Sequence, residues 1–589
     1  MITHESRLLK VVLDDMRIMS SHIQNSYLEN LCNLKTRIHS LKLFLLLCLT
    51  LTVFLTSITP SLAQDDNSLN GTLTIDKNAK IELGTANRNF EKINNIQPSQ
   101  PQKTIDYKVQ DVELVLPKLD TKVKAVTTSV PDLTKFYGDY LKVGFGNYTS
   151  PYLEGFVNNK RSEKYSYGTH VKYFASKNGP VKNSGLNEEL LEGYGKYFGA
   201  KTVLRGNISY QRNRYNYYGY NHATRPNAGG DSLKQVFNTF TISGGIENKN
   251  KQDKFNYNTD VNYYNFSTYK NAKEGEFLWN YKADYWLDNS KTVIVDGALS
   301  SSKRTDSTSI QRTLFSIKPA IHYKYNDKLN LIGGINVAYA NDTIKDYHKL
   351  HVYPRINIEY KVFDTKVIVY GGLDGEMQKN TLRTLSRENS YLGSNIALFH
   401  TNKTSDFYAG IKGGLKGGIS YKLKLSSANY RYLYFFNNSV TDTSKFSVLY
   451  DKGNVNVLNF GGELGYEMTG SFRLAIASYY YKYTMSQLEK PWQRPDFTTS
   501  VLATYNLNKK VHFNVDFYYI GGLAGKNFVT GREVQMKGIA DLDLKVDYLV
   551  SNKFSIFVEV NNILSQKYQR YLYYYNKGIN ILAGLTYSF

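Results

Sequence analysis

Apolar side chains alternate with polar or small ones in long stretches of the chain, most clearly in its last third. Residues 511–519, 542–548, 554–560 and 579–589 follow this pattern. Because side chains along a β-strand point to opposite faces in turn, each stretch predicts a strand with one oily and one polar face. An ordinary half-buried strand does not explain why the chain ends on Phe589, whereas a barrel wall between lipid and lumen does. Tyr587 and Phe589 are therefore predicted to form the C-terminal signal of a barrel.

Charged residues within these stretches indicate that the polar face is in contact with water. Lys545, Asp547, Asp516 and Glu559 stand between apolar neighbours. An ionised side chain facing lipid costs roughly 2–4 kcal/mol at mid-membrane, so the polar face must be hydrated. We expect an all-β fold, a closed antiparallel transmembrane β-barrel, in which these four residues line the lumen.

Short turns recur from about residue 137 onward, at intervals of roughly 37 to 55 residues, and five of the ten share a signature of Asn or Asp, often with Lys, before an apolar strand. Asn and Asp tolerate the left-handed backbone of tight hairpins, which makes these segments predicted turns. The ten turns, with a first and a last strand, predict about 22 strands, within a range of roughly 16 to 22. Short turns are expected at the periplasmic rim and longer loops, such as 378–406 and 523–535, outside. The turns lie near residues 159, 198, 250, 289, 327, 365, 417, 469, 509 and 552.

The N-terminal part of the chain has a different composition. An apolar run at 43–58 follows basic residues and precedes small ones, which is typical of a signal peptide, and we expect cleavage after Ala63. Residues 1–63 then form a presequence, and the polar residues 64–136 form a partly disordered periplasmic tail before the barrel at 137–589. Both cysteines, Cys32 and Cys48, fall in the presequence, which excludes thiol chemistry from the mature protein.

Composition and net charge limit the kinds of binding partner that we expect. The 589 residues include 51 tyrosines and 12 prolines, and Tyr clusters suit the aromatic girdles at the two membrane interfaces. The formal net charge is +22, but no basic helix or nucleic-acid motif accompanies it, so nucleic-acid binding is not expected. Three explanations stay open: pairing with phosphates of lipopolysaccharide and other outer-membrane lipid, a lumen biased toward anionic solutes, or simply solvated charges.

No group of residues predicts a catalytic, cofactor or metal site. His348 and His351 are three residues apart, which puts them on opposite sides of a strand. Residues 521–526 have the wrong glycine spacing for a phosphate loop and lack the Ser or Thr that must follow. His222 and His400 fall in predicted outer loops, where a lone histidine is usually solvated. Catalysis would require one of them beside a carboxylate.

The last two predicted strands carry a motif formed by Asn562, Ile563, Tyr568, Gly578, Gly584 and Phe589. In this motif the segment resembles the end of TonB-dependent receptor barrels, and residues 86–93 and 140–152 are similar to a Bacteroidota group of them. The resemblance implies an outer-membrane location and a last strand that the barrel-assembly machinery recognises. Receptors of this family also hold a plug domain inside the barrel. Residues 64–136 are too short and glycine-poor for one, which leaves energy coupling through TonB open.

These observations favour one function and leave alternatives. The main expectation is a receptor-like or channel protein that binds a solute or takes it up across the outer membrane. An accessory barrel that scaffolds a larger envelope complex, without transport of its own, is the second, and an outer-membrane enzyme is the third. An open lumen favours the first, and a lumen filled by loops or by the N-terminal tail favours the second.

Overall fold

The structure, a computed structural model, describes residues 138–589 apart from short gaps at 160–161, 343, 345–347, 469 and 528–529. The expected presequence 1–63 and tail 64–136 lie outside the described residues, so the domain boundaries stay predictions. The regular secondary structure of the described part is almost entirely antiparallel β-strand. None of its helices has the length and apolar character needed to cross a bilayer.

In this part of the chain, 22 strands form a single sheet and the remaining elements lie in connecting loops. The barrel strands are β1 (Tyr140–Gly146), β2 (Ser150–Asn158), β3 (Tyr165–Ser176), β4 (Leu186–Phe198), β5 (Thr202–Asn216), β6 (Lys234–Asn248), β7 (Phe255–Thr268), β8 (Lys273–Trp286), β9 (Lys291–Thr305), β10 (Ser309–Tyr325), β11 (Leu329–Ala340), β12 (Leu350–Phe363), β13 (Val367–Gln378), β14 (Thr401–Leu415), β15 (Ile419–Arg431), β18 (Val455–Met468), β19 (Phe472–Thr484), β20 (Phe497–Leu507), β21 (Val511–Gly521), β24 (Ile539–Leu549), β25 (Phe554–Asn561) and β28 (Asn580–Ser588). The loop elements are β16 (Leu433–Asn438) with β17 (Phe446–Asp451), β22 (Ala524–Lys526) with β23 (Glu533–Gln535), β26 (Gln569–Tyr571) with β27 (Tyr574–Tyr575), the helix α1 (Leu382–Glu388) and a 3₁₀ turn (Gly230–Ser232).

The sheet closes on itself. Strand β1 pairs antiparallel with β2 on one side and with β28 on the other, from Tyr140 opposite Ser588 to Gly146 opposite Leu582. An even number of strands is what allows antiparallel pairing to continue around the ring. The prediction of a closed, all-β, antiparallel barrel of about 22 strands is confirmed.

Two glycines face each other at this closing seam between β1 and β28. Gly144 lies opposite Gly584, and the buried ring of Phe557 from β25 covers both. A Cβ atom on Gly584 would lie 2.0 Å from the carbonyl oxygen of Val143 and 2.7 Å from the Phe557 ring. The seam therefore requires a residue without a side chain at Gly584.

The two ends of the barrel differ in their connections. At one end, which we call the short-turn rim, the strands are joined at the ten places predicted from the sequence. Asn326, Asp327, Asp364 and Asn508 adopt the expected left-handed backbone there, with φ between 47° and 52°. The other end, the long-loop rim, carries loops such as 217–233, 379–400 and 432–454 beside a few short turns.

The barrel wall has two unlike faces. In β28, Leu585 is 48% exposed while its neighbour Thr586 is 2% exposed, and exposed apolar residues alternate in the same way along β1. Exposed apolar side chains mark the outer face, since the opposite face of a closed sheet points into the lumen. Tyr587 and Phe589 lie exposed near the end of this wall.

Candidate functional site

Four loops of the long-loop rim pack against one another. They are 217–233, 379–400, 432–454 and 562–579, and together we call them the mouth cap. Their apolar side chains share a buried cluster with Phe237 and Phe266 of the barrel wall. Because the loops start from strands at different places around the ring, they meet only by reaching across its opening.

Aromatic rings form the centre of the mouth cap. Tyr574, in the 562–579 loop, contacts each of the other three loops: its ring stacks on Tyr391 and meets the edge of Tyr218, and its hydroxyl donates to the carbonyl oxygen of Ser444. Burial raises the pKa of Tyr391 and of Tyr574 well above the usual value, so both hydroxyls stay protonated. One residue thus links the whole cap.

A carboxylate of the barrel wall holds helix α1 of the cap. Glu274, on the inner face of β8, accepts hydrogen bonds from the backbone N–H groups of Leu382 at 2.7 Å and Arg383 at 3.0 Å. The Tyr264 hydroxyl donates to the same carboxylate at 2.8 Å. The first N–H groups of a helix have no partner within it and carry partial positive charge, so a buried carboxylate is stabilising there.

Two buried arginines hold the rest of the 379–400 loop. Arg312 of β10 donates to the carbonyl oxygen of Asn380 at 2.7 Å, and Arg304 of β9 donates to that of Ile396 at 2.5 Å. Strand periodicity indicates that these side chains point inward, but their partners lie 68 and 92 residues away in the sequence. No local pattern could therefore have identified them, or Glu274, as anchors of a loop.

Exposure along the inner face of β8 changes from one rim to the other. Glu274 and Glu276, beside the mouth cap, are 1% and 2% exposed, whereas the side chain of Lys282, farther along the same face, is 58% exposed. In the part of the barrel away from the cap, charged pairs join nearby strands, as in the 2.8 Å pair of Arg355 with Asp296. Among the described residues, inner-face side chains of β8 are therefore buried near the mouth cap and exposed to solvent toward the short-turn rim.

The four charged residues singled out in the sequence lie on one face of the wall near the closing seam. Lys545 is opposite Glu559, and its Nζ lies 3.2 Å from Oδ2 of Asp547. Asp516, on β21, pairs with a residue two positions before Lys545 and is exposed. This face is opposite the one that bears the exposed apolar residues of β25.

Sequence reasoning missed a fifth member of this group, Lys142 of β1. Its Nζ lies 3.8 Å from a carboxylate oxygen of Glu559 and 4.7 Å and 4.3 Å from the ring centroids of Tyr152 and Phe557. The closing of the barrel brings β1 beside the C-terminal strands, which no local pattern reveals. These contacts with a carboxylate and two rings offset part of the cost of burying the Lys142 ammonium group.

The ring of each loop histidine makes a hydrogen bond with a backbone group. The ring of His400 accepts a hydrogen bond from the backbone N–H of Asn380, and the carboxylate of Asp342 binds the backbone N–H of His400. Burial and the nearby positive charge of Arg312 lower the pKa of His400 well below its usual value, so the ring is neutral. His222 lies 3.0 Å from a backbone carbonyl oxygen. The described residues contain no cluster of three or more potential metal ligands.

Comparison with known proteins gives structural neighbours. No protein-family model and no curated protein matches the sequence. The siderophore receptor PirA from Acinetobacter baumannii is 12% identical, with a TM-score of 0.59 over 77% of this chain and 80% of its own. The chain shares the fold of such receptors.

Two further solved structures share this fold. The ferric-catecholate import receptor Fiu from E. coli K12, in a closed form, gives a TM-score of 0.60 at 12% identity, covering 77% of this chain and 82% of its own. The FrpB iron transporter from Neisseria meningitidis gives 0.60 at 10% identity, covering 78% and 82%. The resemblance to receptor barrels inferred from the last strands is thereby confirmed at the level of the fold.

Proposed function

We propose that this chain is an outer-membrane receptor that binds a solute at the mouth cap and admits it to the lumen. The observation that carries the proposal is an interior closed by packed loops at one rim and polar and solvent-exposed toward the other. Because barrel connections are short on the periplasmic side, the mouth cap lies on the extracellular side of the membrane. Loops that must move before the lumen becomes continuous suit a receptor better than a permanently open pore. The fold shared with import receptors supports this proposal.

Iron chelates are the first solute class to test, because the neighbouring structures are named as receptors or transporters for iron and siderophores. The cap also holds Arg383 4.2 Å from the ring centroid of Tyr264 and Arg570 4.8 Å from that of Tyr571. Guanidinium groups beside aromatic rings suit flat, anionic ligands.

Tryptophan fluorescence offers a direct test. Trp492 is buried next to the mouth cap, whereas Trp279 is exposed on the outer wall and Trp286 is exposed at the end of β8. Titration of purified protein with a ferric catecholate and a ferric hydroxamate should change Trp492 emission saturably, and the iron-free forms should bind more weakly. Trp492→Phe should lose the signal but keep binding of the radioactive iron chelate. Absence of binding by either measurement would exclude iron chelates as the solute.

The scaffold hypothesis is the second candidate, and the packed mouth cap is the observation that favours it. A scaffold should carry a stoichiometric envelope partner through purification in mild detergent and should show no solute-dependent change in fluorescence. A receptor should purify without such a partner and should respond to its solute.

Location and assembly belong to the same proposal. We propose that Tyr587 and Phe589 present the C-terminal signal to the barrel-assembly machinery, and that Lys545, Asp547, Asp516 and Glu559 line the lumen. Their positions on the outer and inner faces of the wall support both assignments. Membrane fractionation and heat-modifiable gel migration test the location, and recovery of the protein in the cytoplasm would end this proposal.

Energy coupling through TonB is open to a direct test. The expected signal peptide and the expected absence of a plug domain concern residues before 138, whereas the similarity to a Bacteroidota group also involves residues 140–152. Uptake of the bound solute in cells with and without TonB decides the matter. Uptake that needs TonB would argue for a coupling segment before β1, and uptake without it would argue for passive entry.

A further inference from the structure

Two shallow grooves with basic walls lie side by side near the long-loop rim. The first, of about 480 Å³, is lined by Arg212, Lys234 and Lys273 together with polar residues such as Asn238 and Ser267. The second, of about 410 Å³, shares Lys273 and adds Lys303 above Tyr263 and Phe277. We call the pair the basic grooves. They have no part in the mouth cap.

Strand register places the basic grooves on the outside of the barrel. Arg212 lies opposite Asn238, Asn238 opposite Ser267, Ser267 opposite Lys273, and Lys273 opposite Thr305, which gives one continuous polar row across β5 to β9. Exposed Ile242, Tyr263 and Phe277 lie on the same face, farther from the rim. The polar row therefore forms the edge of the oily outer surface, at the level where lipid headgroups lie.

Positive charge predominates in the grooves. Among the described residues, no carboxylate forms an ion pair with Arg212, Lys273 or Lys303. Two acids lie nearby: Asp231, 3.8 Å from Lys234, and Glu189, opposite Arg212 on β4. Arg214 and Lys270 add further exposed positive charge beside the first groove.

Resting on the proposed outer-membrane location, we infer that the basic grooves bind the phosphate groups of an outer-leaflet glycolipid. Arg212 suits bidentate contact with a phosphate, and Lys273 and Lys303 suit point contacts. Gly275, two residues after Lys273 and opposite Lys303 in register, also lines the second groove. The acyl chains would then lie on the exposed apolar residues below. Free phosphate has no apolar part that could contact this oily surface, so the occupant is a phosphorylated lipid.

Lipid binding to the purified mature chain tests the inference. Native mass spectrometry would measure the binding of bisphosphorylated lipid A, dephosphorylated lipid A and inorganic phosphate to the wild type and to the triple variant Arg212→Gln, Lys273→Ser, Lys303→Ser. The triple variant should bind bisphosphorylated lipid A about a hundredfold more weakly, since each basic residue at an anionic lipid surface strengthens binding about fivefold. Dephosphorylated lipid should bind the wild type as weakly as the phosphorylated lipid binds this variant.

The matched control removes the same charge from the other rim: Lys328→Ser, Lys416→Ser, Lys510→Ser. It should bind like the wild type, and heat-modifiable migration of each variant reports that the barrel is folded. Equal binding by the two triple variants, equal binding of both lipids, or displacement of the lipid by equimolar inorganic phosphate would each overturn the inference. A wild type that fractionates with the outer membrane but binds no lipid A refutes this site alone, whereas fractionation elsewhere refutes the location.

Discussion

Tyr391 stacks on Tyr574 with ring centroids 3.6 Å apart and ring planes 23° from parallel. The two residues belong to loops that leave the barrel at β13 and at β25. Their contact is where the mouth cap is held together across the opening.

Removing this stack should open the cap. Tyr391→Ala and Tyr574→Ala each delete one ring of the stack, which costs about 3 kcal/mol of cap stability. In planar bilayers the wild type should conduct rarely, and either variant should open at least tenfold more often. Tyr480→Ala, which removes an exposed ring from the outer wall, is the control. Unchanged conductance in both cap variants would mean that the cap does not gate the lumen.

Weakening the anchor of α1 should expose the 379–400 loop. Glu274→Gln keeps the shape but loses the charge that attracts two backbone N–H groups, a loss of roughly 1.5–3 kcal/mol. Trypsin should then cut at Arg383 and Arg387 about tenfold faster or more. Glu467→Gln, at an exposed pair on the short-turn rim, should leave cleavage unchanged. Equal cleavage in both variants would show that Glu274 does not hold the loop.

Acid should loosen a second contact of the loops. Asp451 is fully buried; burial opposes its ionisation, but hydrogen bonds from the backbone N–H groups of Ser486, Gln487 and Leu488 outweigh burial and lower its pKa below the usual 3.8. A carboxyl with a lowered pKa in the fold stabilises it at higher pH and loses that effect as pH falls through the folded value.

The pH window therefore lies below pH 3.8. Amide exchange of residues 486–488 should stay slow at pH 5 and accelerate, beyond the intrinsic rate change, below that value. Asp451→Asn should already show the fast exchange at pH 5 and no further transition. A variant that stays protected at pH 5 would contradict this account.

The end of the chain should matter for assembly more than for final stability. Phe589→Ala removes an exposed ring at the C-terminus, and we expect the folded fraction in the outer membrane to fall severalfold. Phe145→Ala removes an exposed ring from β1, on the adjoining side of the seam, and should assemble normally. Heat-modifiable migration after fractionation measures both. Equal assembly would remove Phe589 as a signal.

Cysteine labelling should separate the two faces of β21. The expected mature chain has no cysteine, so Asp516→Cys introduces a single thiol that a charged, water-soluble reagent should modify rapidly. Phe517→Cys, the next residue, should react at least tenfold more slowly in liposomes because it faces lipid. Similar rates at the two positions would contradict the lumen assignment of Asp516.

The parts of the fold that sequence predicted depend on local patterns. A period of two identifies strands and their faces, and Asn or Asp at a hairpin identifies turns such as 326–328. The number of strands and the positions of the short turns and long loops could therefore be predicted. The mouth cap depends instead on contacts between distant residues, such as the hydroxyl of Tyr217 and the carbonyl oxygen of Leu392. The same Tyr-rich composition that suits a membrane girdle also supplies the core of the cap, and alternation alone does not separate these roles.

The pairing of β1 with β28 also constrains how the molecule is made. The strand that completes the ring, β28, is synthesised after the other barrel strands, and until it pairs with β1 the sheet has two unpaired edges that are open to aggregation. Closure pairs the two barrel strands that are farthest apart in the sequence, and this pairing is therefore slow. A chaperone or the assembly machinery must therefore cover those edges until β28 pairs with β1.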